Sequence, residues 1–303
     1  MNLDALRELD ASLVDFDAPL GPRTTYRVGG AVRALVTIRR RDDFEAVSRA
    51  LVACAAPIVA VGKGSNLLVN EGLHDVVAVV LDDEFASLEW ADDAEGVVAT
   101  LGAGIALPVA SRRLSSEGVV GFEWAVGVPG TFGGAVAMNA GGHGSDIAHS
   151  MISATIWRAG RVRIFDVEEL ALGYRSSALR DGDLVLEGNL RLGRGDADAA
   201  NERVREIVRW RRENQPGGAN AGSVFRNPPH DFAARLIEEA GAKGLRHESA
   251  SVSEKHANFI QADTGGRASD VFELMEIVAG MVKARSGVTL ERENRLVGFR
   301  DES

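Results

Sequence analysis

The amino-acid sequence predicts an α+β fold spread over about two or three domains. The chain has 303 residues, of which 45% are apolar and 26% charged, the composition of a folded globular protein. Strand-like runs and amphipathic helical segments follow one another along its whole length. A polar, turn-rich stretch at residues 193–199 then separates a sheet-rich middle part from a compact C-terminal α+β part.

Residues 1–80 are predicted to form a small α/β subdomain. Short apolar runs at residues 34–38, 57–61 and 76–81 have the length and composition of strands. They alternate with a helix at residues 41–53, where apolar residues recur every three or four positions.

Residues 81–198 are predicted to form a second subdomain with a substantial sheet. Its strands are expected at residues 96–101, 152–157, 161–165 and 184–192, around a helix at residues 107–117. A long glycine-rich segment interrupts this pattern.

Residues 199–303 are predicted to form a C-terminal α+β domain. Helices are expected at residues 200–214, 231–240 and 269–286, and strands at residues 259–262 and 290–299. The first of these helices ends at Gln215-Pro216, before a loose GGANAG sequence.

Charge and cysteine content exclude several classes of function. The net charge is −10 and no stripe of Lys or Arg occurs, so we expect no nucleic-acid partner. Cys54 is the only cysteine and lies in an apolar stretch, which excludes an internal disulfide and a cysteine-rich zinc site. No apolar run approaches about 18 residues and the N-terminus is acidic, so we expect a cytoplasmic protein without a membrane partner.

Two glycine-bearing segments are candidates for ligand binding. The first, Gly62 to Asn66, follows a predicted strand and can present backbone N–H groups to an anion, although a plain β-turn explains it equally well. The second, Gly127 to Gly144, carries mostly small and apolar side chains and can lie against a planar ligand; a glycine-rich loop or a kinked strand fits its spacing equally well. Because neither GxGxxG nor GxxxxGK occurs, a standard Rossmann site or P-loop is not supported.

Three polar residues are candidates for acid, base or cation chemistry. Arg175 can clamp a carboxylate, but it also suits an exposed turn. Ser223 lies between Gly and apolar residues, where its hydroxyl can donate a proton or cap a turn. Glu293 interrupts a strand-like run, and a solvent-facing position on an edge strand is the simpler interpretation.

Seven short sequence blocks follow one another along the chain. They are TTYRVGG at 24–30, GKGSNLL at 62–68, GVPGTFGGAVAMNAG at 127–141, YRSS at 174–177, GSVFRNP at 222–228, SEKHANF at 253–259, and Glu293-Asn294-Arg295. In this order they resemble the UDP-N-acetylenolpyruvoylglucosamine reductase family over most of the chain.

The resemblance implies a fold and a cofactor. The fold is a two-subdomain FAD-binding module of the vanillyl-alcohol-oxidase (PCMH) type, followed by a C-terminal α+β substrate-binding domain. Residues implied to hold FAD are Gly62, Lys63, Gly64, Ser65, Asn66, Pro129, Gly130, Thr131, Gly133, Gly134, Asn139 and Gly141. A monomer is the expected state, and no metal is expected.

The resemblance also implies the reaction, an NADPH-dependent reduction of UDP-N-acetylglucosamine enolpyruvate to UDP-N-acetylmuramate for peptidoglycan synthesis. Flavin N5 delivers hydride to the enolpyruvyl group. Arg175 and Glu293 are then implied to stabilise the enolate, and Ser223 to donate the proton. Asn227 and Lys243 are implied to contact the substrate.

This sequence departs from the family pattern at a few positions. His143 replaces a common tyrosine, Glu248 and Ser249 replace glycines, and Asn294 replaces the valine of a Glu-Val-Arg ending. Two other interpretations therefore stay open, namely another FAD oxidoreductase of the same fold and a non-catalytic homologue that binds flavin or a UDP-sugar.

Overall fold

The computed structural model of the protein describes residues 1–299. The chain forms two compact units, each assembled from segments that are not contiguous in sequence. The first unit contains Met1–Phe16, Arg33–Lys63 and Asp75–Arg211; the second contains Asp17–Val32, Gly64–His74 and the chain from Arg212 onward. The three-part division into residues 1–80, 81–198 and 199–303 stays a prediction.

The helices and strands are short apart from two long helices. The helices are α1 (Asp4–Arg7), α2 (Phe44–Cys54), α3 (Leu107–Ser116), α4 (Phe132–Ala137), α5 (Val167–Leu170), α6 (Ala197–Asn214), α7 (Ala233–Glu239) and α8 (Ala268–Ser286). The strands are β1 (Val14–Pro19), β2 (Ala31–Ile38), β3 (Ile58–Ala60), β4 (Leu67–Val69), β5 (Leu73–Leu81), β6 (Leu88–Asp93), β7 (Gly96–Gly102), β8 (Val119–Val120), β9 (Gly141–Gly142), β10 (Ser145–Asp146), β11 (Met151–Arg158), β12 (Arg161–Asp166), β13 (Leu184–Arg194), β14 (Arg246–His247), β15 (Ala250–Val252), β16 (Ile260–Ala262) and β17 (Arg295–Val297).

A four-stranded sheet with the order β1-β2-β5-β3 lies beside helix α2. Strands β3 and β5 run parallel. Helix α2 buries Val47, Leu51 and Cys54, which recur every three or four residues on one face. The helix ends at Ala55, whose left-handed φ of 47° stops the helical backbone.

A larger antiparallel sheet with the order β12-β11-β13-β7-β6 forms the core of the first unit. Strand β13 shows the two-residue alternation of a half-buried strand, with Leu190 and Leu192 buried and Asn189 and Arg191 partly exposed. Gly188 of this strand leaves room for an aromatic ring, since a Cβ atom there would lie 2.9 Å from Phe132 Cε1.

The second unit packs α7 and α8 with the β14-β15-β16 sheet and with the parallel pair β17-β4. Tyr26, Val28 and Leu68 from the N-terminal half of the sequence belong to this core. Helix α8 is capped by Glu71, whose Oε1 accepts from the Ala268 backbone N–H at 2.5 Å. A carboxylate at a helix N-terminus accepts hydrogen bonds from unpaired N–H groups and interacts favourably with the positive end of the helix dipole.

Most predicted elements are found within a few residues of their expected positions, including all five predicted helices. The strand predicted at residues 290–299 is wrong in length, because only Arg295–Val297 pairs as a strand. Before it, Arg292 makes only an isolated bridge to Phe225.

Within residues 1–299, no helix is long and apolar enough to cross a lipid bilayer. The same part of the chain contains no group of three or more His, Cys, Asp and Glu residues arranged to hold a metal ion.

Candidate active site

The two glycine-bearing segments approach each other closely within the first unit. A Cβ atom on Gly62 would lie 2.3 Å from Thr131 Oγ1, well inside van der Waals contact. A Cβ atom on Gly133 would lie 2.9 Å from Ala103 Cβ, and the Gly133 N–H donates to the Ala103 carbonyl at 2.9 Å. Glycine at position 62 therefore allows this approach, and glycine at position 133 allows close packing against Ala103.

The centre of the glycine-rich segment is a short helix, α4, rather than a loop or a kinked strand. Phe132 and Val136, four residues apart, are buried in the core. Gly134 and Pro129 are exposed. An exposed main chain with few bulky side chains fits a large planar cofactor that carries phosphates.

The remainder of the first segment belongs to the second unit. Gly64 has a left-handed φ of 63°, and a Cβ atom there would lie 2.7 Å from Thr24 Cα. Thr24 opens the TTYRVGG block, and the N–H of its neighbour Thr25 donates to the Gly64 carbonyl at 3.2 Å. The structure thus brings the first two sequence blocks into contact.

Asn139 joins the glycine-rich segment to the turn that carries Arg175. Its side chain is buried, and Nδ2 donates to the Gly173 carbonyl at 3.0 Å and to Asp146 Oδ2 at 3.3 Å. Oδ1 accepts from the Ala148 N–H at 2.9 Å. Its side chain thus orders the protein, while the predicted cofactor contact stays a prediction.

Arg175 lies in a tight turn beside the glycine-rich segment. It has a left-handed φ of 53°, and its Nη2 donates to the Gly141 carbonyl at 3.0 Å. Two residues on, Ser177 Oγ donates to the Ala137 carbonyl at the end of α4 at 2.7 Å. The first bond holds the guanidinium next to Gly141, one of the residues predicted to bind FAD.

His143 contacts Trp210 edge to face, with 5.0 Å between ring centroids. Burial lowers the pKa of His143, and the nearby guanidinium groups of Arg203 and Arg211 lower it further. Both effects favour the uncharged form of the imidazole at the end of the glycine-rich segment.

Ser223 and Glu293 lie on two segments that run side by side in the second unit. The Glu293 N–H donates to the Val224 carbonyl at 2.7 Å, and the Arg226 N–H donates to the Glu291 carbonyl at 2.9 Å. Ser223 precedes Val224 directly, so the structure brings these two predicted catalytic residues together. Their convergence with Arg175 stays a prediction.

Asn258, which the sequence analysis did not single out, clamps the segment that carries Ser223. Its Oδ1 accepts from the Phe225 N–H at 3.0 Å and its Nδ2 donates to the Phe225 carbonyl at 2.8 Å. The Asn258 carbonyl also accepts from the Val224 N–H at 2.9 Å. The only signal in the sequence was its place in the SEKHANF block.

Asn66 connects the first glycine-bearing segment to the C-terminal block. Its Nδ2 donates to the Glu293 carbonyl at 3.1 Å, and its own carbonyl accepts from the Arg295 N–H at 2.9 Å. Parallel pairing of β4 with β17 continues this contact. Asn66 is thus held against the strand that follows Glu293.

The two predicted substrate contacts have structural partners of their own. Asn227 Oδ1 accepts from the Ala233 N–H at 3.0 Å, at the start of α7. Lys243 Nζ lies 2.8 Å from Glu238 Oε1 in an exposed ion pair. Their contact with a ligand stays a prediction.

Two family models match the chain. The model described as "FAD binding domain" matches residues 32–160, and the model described as "UDP-N-acetylenolpyruvoylglucosamine reductase, C-terminal domain" matches residues 214–297. The first match covers Gly62 and the whole glycine-rich segment from Gly127 to Gly144, and the second covers Ser223 and Glu293.

Curated relatives extend these matches over nearly the whole chain. The chain is 39% identical to UDP-N-acetylenolpyruvoylglucosamine reductase of Rubrobacter xylanophilus, over 93% of this chain and 95% of the relative. It is 40% identical to the enzyme of the same name from Thiobacillus denitrificans, over 94% of this chain and 92% of the relative.

A solved structure shares the fold. The crystal structure of UDP-N-acetylenolpyruvylglucosamine reductase from Thermus caldophilus matches with a TM-score of 0.79 at 34% identity, covering 92% of this chain and 97% of the other. Together with the domain matches, this confirms the predicted α+β fold, with an FAD-binding module and a C-terminal domain.

Proposed function

Because this chain belongs to the UDP-N-acetylenolpyruvoylglucosamine reductase family, we propose that it reduces UDP-N-acetylglucosamine enolpyruvate to UDP-N-acetylmuramate with bound FAD and NADPH as reductant. The pairing of the Ser223 segment with the Glu293 segment is the observation that carries the proposal. In this role the protein supplies a precursor of peptidoglycan in the cytoplasm.

The glycine-bearing segments are the proposed FAD site. A side chain at Gly62 would collide with Thr131, and the main chain around Gly134 is exposed, which supports a cofactor site built from backbone groups. Bound FAD would supply the hydride that adds to the terminal carbon of the enolpyruvyl group.

Arg175 is proposed to bind the carboxylate of the enolpyruvyl group. Hydride addition leaves a negative charge on the carbon next to that carboxylate, and a fixed cation stabilises it most strongly where water is excluded. The guanidinium has a planar fork of N–H donors that matches a carboxylate. Its bond to the Gly141 carbonyl orients that fork.

Ser223 is proposed to donate the proton that completes the reduction. A serine hydroxyl is a weak acid, but the substrate carbanion is far more basic, so position decides whether transfer occurs. Asn258 fixes the segment after Ser223 through three hydrogen bonds, to the N–H and carbonyl of Phe225 and to the N–H of Val224. Ser223 itself is half-buried.

Glu293 is proposed to support the polarised carboxylate as an acid or hydrogen-bonding partner. Its backbone is held on both sides, by Val224 through the N–H and by Asn66 through the carbonyl. On the same unit, Asn227 and Lys243 are proposed to contact the sugar nucleotide, with Lys243 near the diphosphate.

The test is to follow the visible flavin absorbance of the FAD-loaded protein without oxygen. We expect NADPH to bleach the flavin band and UDP-N-acetylglucosamine enolpyruvate to restore it. Bleaching without recovery would retain a flavoprotein but reject this substrate. An absence of flavin absorbance after loading would reject the function altogether, and flavin binding without bleaching would favour a non-catalytic homologue.

A further inference from the structure

Asn294 lies directly after Glu293 and links it to the segment that carries Ser223. The residue is 6% exposed. Its Nδ2 donates to Asn66 Oδ1 at 3.0 Å and to the Ala221 carbonyl at 3.2 Å. Ala221 precedes Ser223 by two residues, so one buried amide reaches both predicted catalytic segments of this unit.

The orientation of both amides follows from the backbone carbonyls they meet. A carbonyl only accepts hydrogen bonds, so Ala221 requires the Nδ2 side of Asn294. The Glu293 carbonyl likewise requires the Nδ2 side of Asn66, which turns Asn66 Oδ1 toward Asn294. The bonds therefore form a short, directed chain from Asn294 through Asn66 to Glu293.

Packing alone does not explain an asparagine at this place. Asn294 Oδ1 is buried and has no hydrogen-bond partner among residues 1–299. An unpaired buried oxygen costs free energy, whereas the Nδ2 side of the same amide serves Asn66 Oδ1 and the Ala221 carbonyl, which an apolar side chain would leave without this donor. Residues that break a local rule in this way are expected at functional sites.

The far end of the network lies in the buried core of the second unit. Tyr26 is fully buried in the same core and lies against the backbone of Ala221. Gly222 then turns the chain with a left-handed φ of 76° before Ser223. A small shift of Ala221 would therefore be passed on to Ser223.

We infer that Asn294 is a positioning residue that holds Ser223 and Glu293 at a fixed spacing through Ala221 and Asn66. The inference rests on the proposed function. It assigns Asn294 to the half-reaction in which substrate is reduced, since the two segments that it joins carry the proposed proton donor and acid. The half-reaction in which NADPH reduces the flavin does not use those two groups.

The first variant is Asn294→Leu, which keeps the branching of the side chain but removes the donor. We expect flavin reoxidation by UDP-N-acetylglucosamine enolpyruvate to slow about tenfold, while bleaching by NADPH stays within about twofold of wild type. The matched control is Asn201→Leu on α6 of the first unit, which should leave both rates unchanged.

The second variant is Asn294→Asp, which has the same shape and loses the donor only when ionised. A protonated carboxyl regains one O–H donor. The rate of flavin reoxidation in this variant, divided by the wild-type rate at the same pH, should therefore rise as the pH is lowered. A general effect on structure would give bleaching by NADPH the same pH profile, whereas a positioning role confines it to reoxidation. The Leu variant should lack it.

Three results would overturn the inference. They are reoxidation by Asn294→Leu within twofold of wild type, an equal loss of both half-reactions, and a pH profile of Asn294→Asp that parallels wild type. Failure of the wild-type flavin to be reoxidised by the UDP-sugar would instead reject the proposed function, and with it this role. Should the Leu variant not fold, the pH profile of the Asp variant decides.

Discussion

Ser223 is a weak acid whose proposed role depends on where the backbone holds it. The substitution Ser223→Ala removes the hydroxyl and leaves the Asn258 clamp on the following residues in place. We expect reoxidation of the flavin by substrate to fall by about 100- to 10,000-fold, the usual contribution of a general acid, with bleaching by NADPH unchanged. Stopped-flow absorbance measures both rates.

The control is Ser251→Ala, on strand β15 of the same unit. It should leave both half-reactions at wild-type rates. Equal slowing of bleaching and reoxidation in Ser223→Ala would reject the proton-donor role, because it would point to a general loss of structure or of flavin.

Asp231 is expected to make the free energy of unfolding depend on pH in the acidic range. Bonds from the Arg235 guanidinium, and then from the Phe232 N–H, lower the pKa of Asp231 from its ordinary value of 3.8 to about 2. A carboxylate whose pKa is lower in the folded than in the unfolded state stabilises the folded protein at pH values above the unfolded-state pKa. This contribution is lost as the pH falls through the folded-state pKa. The affected window therefore lies between 3.8 and about 2.

We expect Asp231→Asn to flatten the dependence of the free energy of unfolding on pH in that window. Urea titrations of wild type and variant at several pH values measure the difference. Arg235→Gln, which removes the partner, should flatten the curve in the same direction. Parallel curves for wild type and both variants would show that the pair adds no acid-dependent stability.

At the scale of elements, the contact between the two glycine-bearing segments depends on Gly62. The substitution Gly62→Ala would place a Cβ atom 2.3 Å from Thr131 Oγ1, so one segment must move. We expect the variant to bind FAD at least about tenfold more weakly than wild type and so to retain much less of it during purification. A loss of about 1.4 kcal/mol in binding free energy is enough for this effect. The ratio of flavin to protein absorbance measures retention.

The matched control is Gly280→Ala on helix α8, where no atom lies within 4 Å of the new Cβ. This change should leave FAD binding intact and stabilise the helix by about 0.5–1 kcal/mol. Full FAD retention by Gly62→Ala would mean that the segments do not need their close approach.

Helix α4 shows the limit of prediction at this scale. Glycine is a poor helix former, so the sequence does not predict a helix in a segment with Gly133 and Gly134 at its centre. The helix forms because Phe132 and Val136 are buried and because Ser177 and Asn139 tie down its C-terminal end. Such stabilisation comes from the tertiary structure rather than from local preference.

At the scale of the whole molecule, the second unit is not a contiguous domain. Its core takes Tyr26, Val28 and Leu68 from the N-terminal half, and strand β4 pairs with β17. Large buried side chains contribute about 2–5 kcal/mol each, and the whole stability of a domain is only about 5–15 kcal/mol. A fragment that begins at Arg212 therefore lacks a decisive part of its core.

We expect that fragment to lack cooperative thermal unfolding and to show weak near-ultraviolet circular dichroism. The full chain should unfold cooperatively in the same buffer. A cooperative transition and native-like dichroism in the fragment would show that the C-terminal segment can repack without the N-terminal residues.

The sequence alone determined the α+β class, the places of most helices and strands, and the kinds of chemistry available at Arg175, Ser223 and Glu293. These follow from local causes, since apolar periodicity, Gly and Pro act within a few residues. The order of the seven blocks also pointed to the family to which the chain belongs.

The tertiary structure decided which segments of the chain contact one another. It placed residues 17–32 and 64–74 in the second unit, paired the Ser223 segment with Glu293, and joined Asn66 to Asn294. It also shortened the last strand to Arg295–Val297. No local pattern specifies such partners, because they depend on hydrogen bonds and buried contacts between residues far apart in the chain.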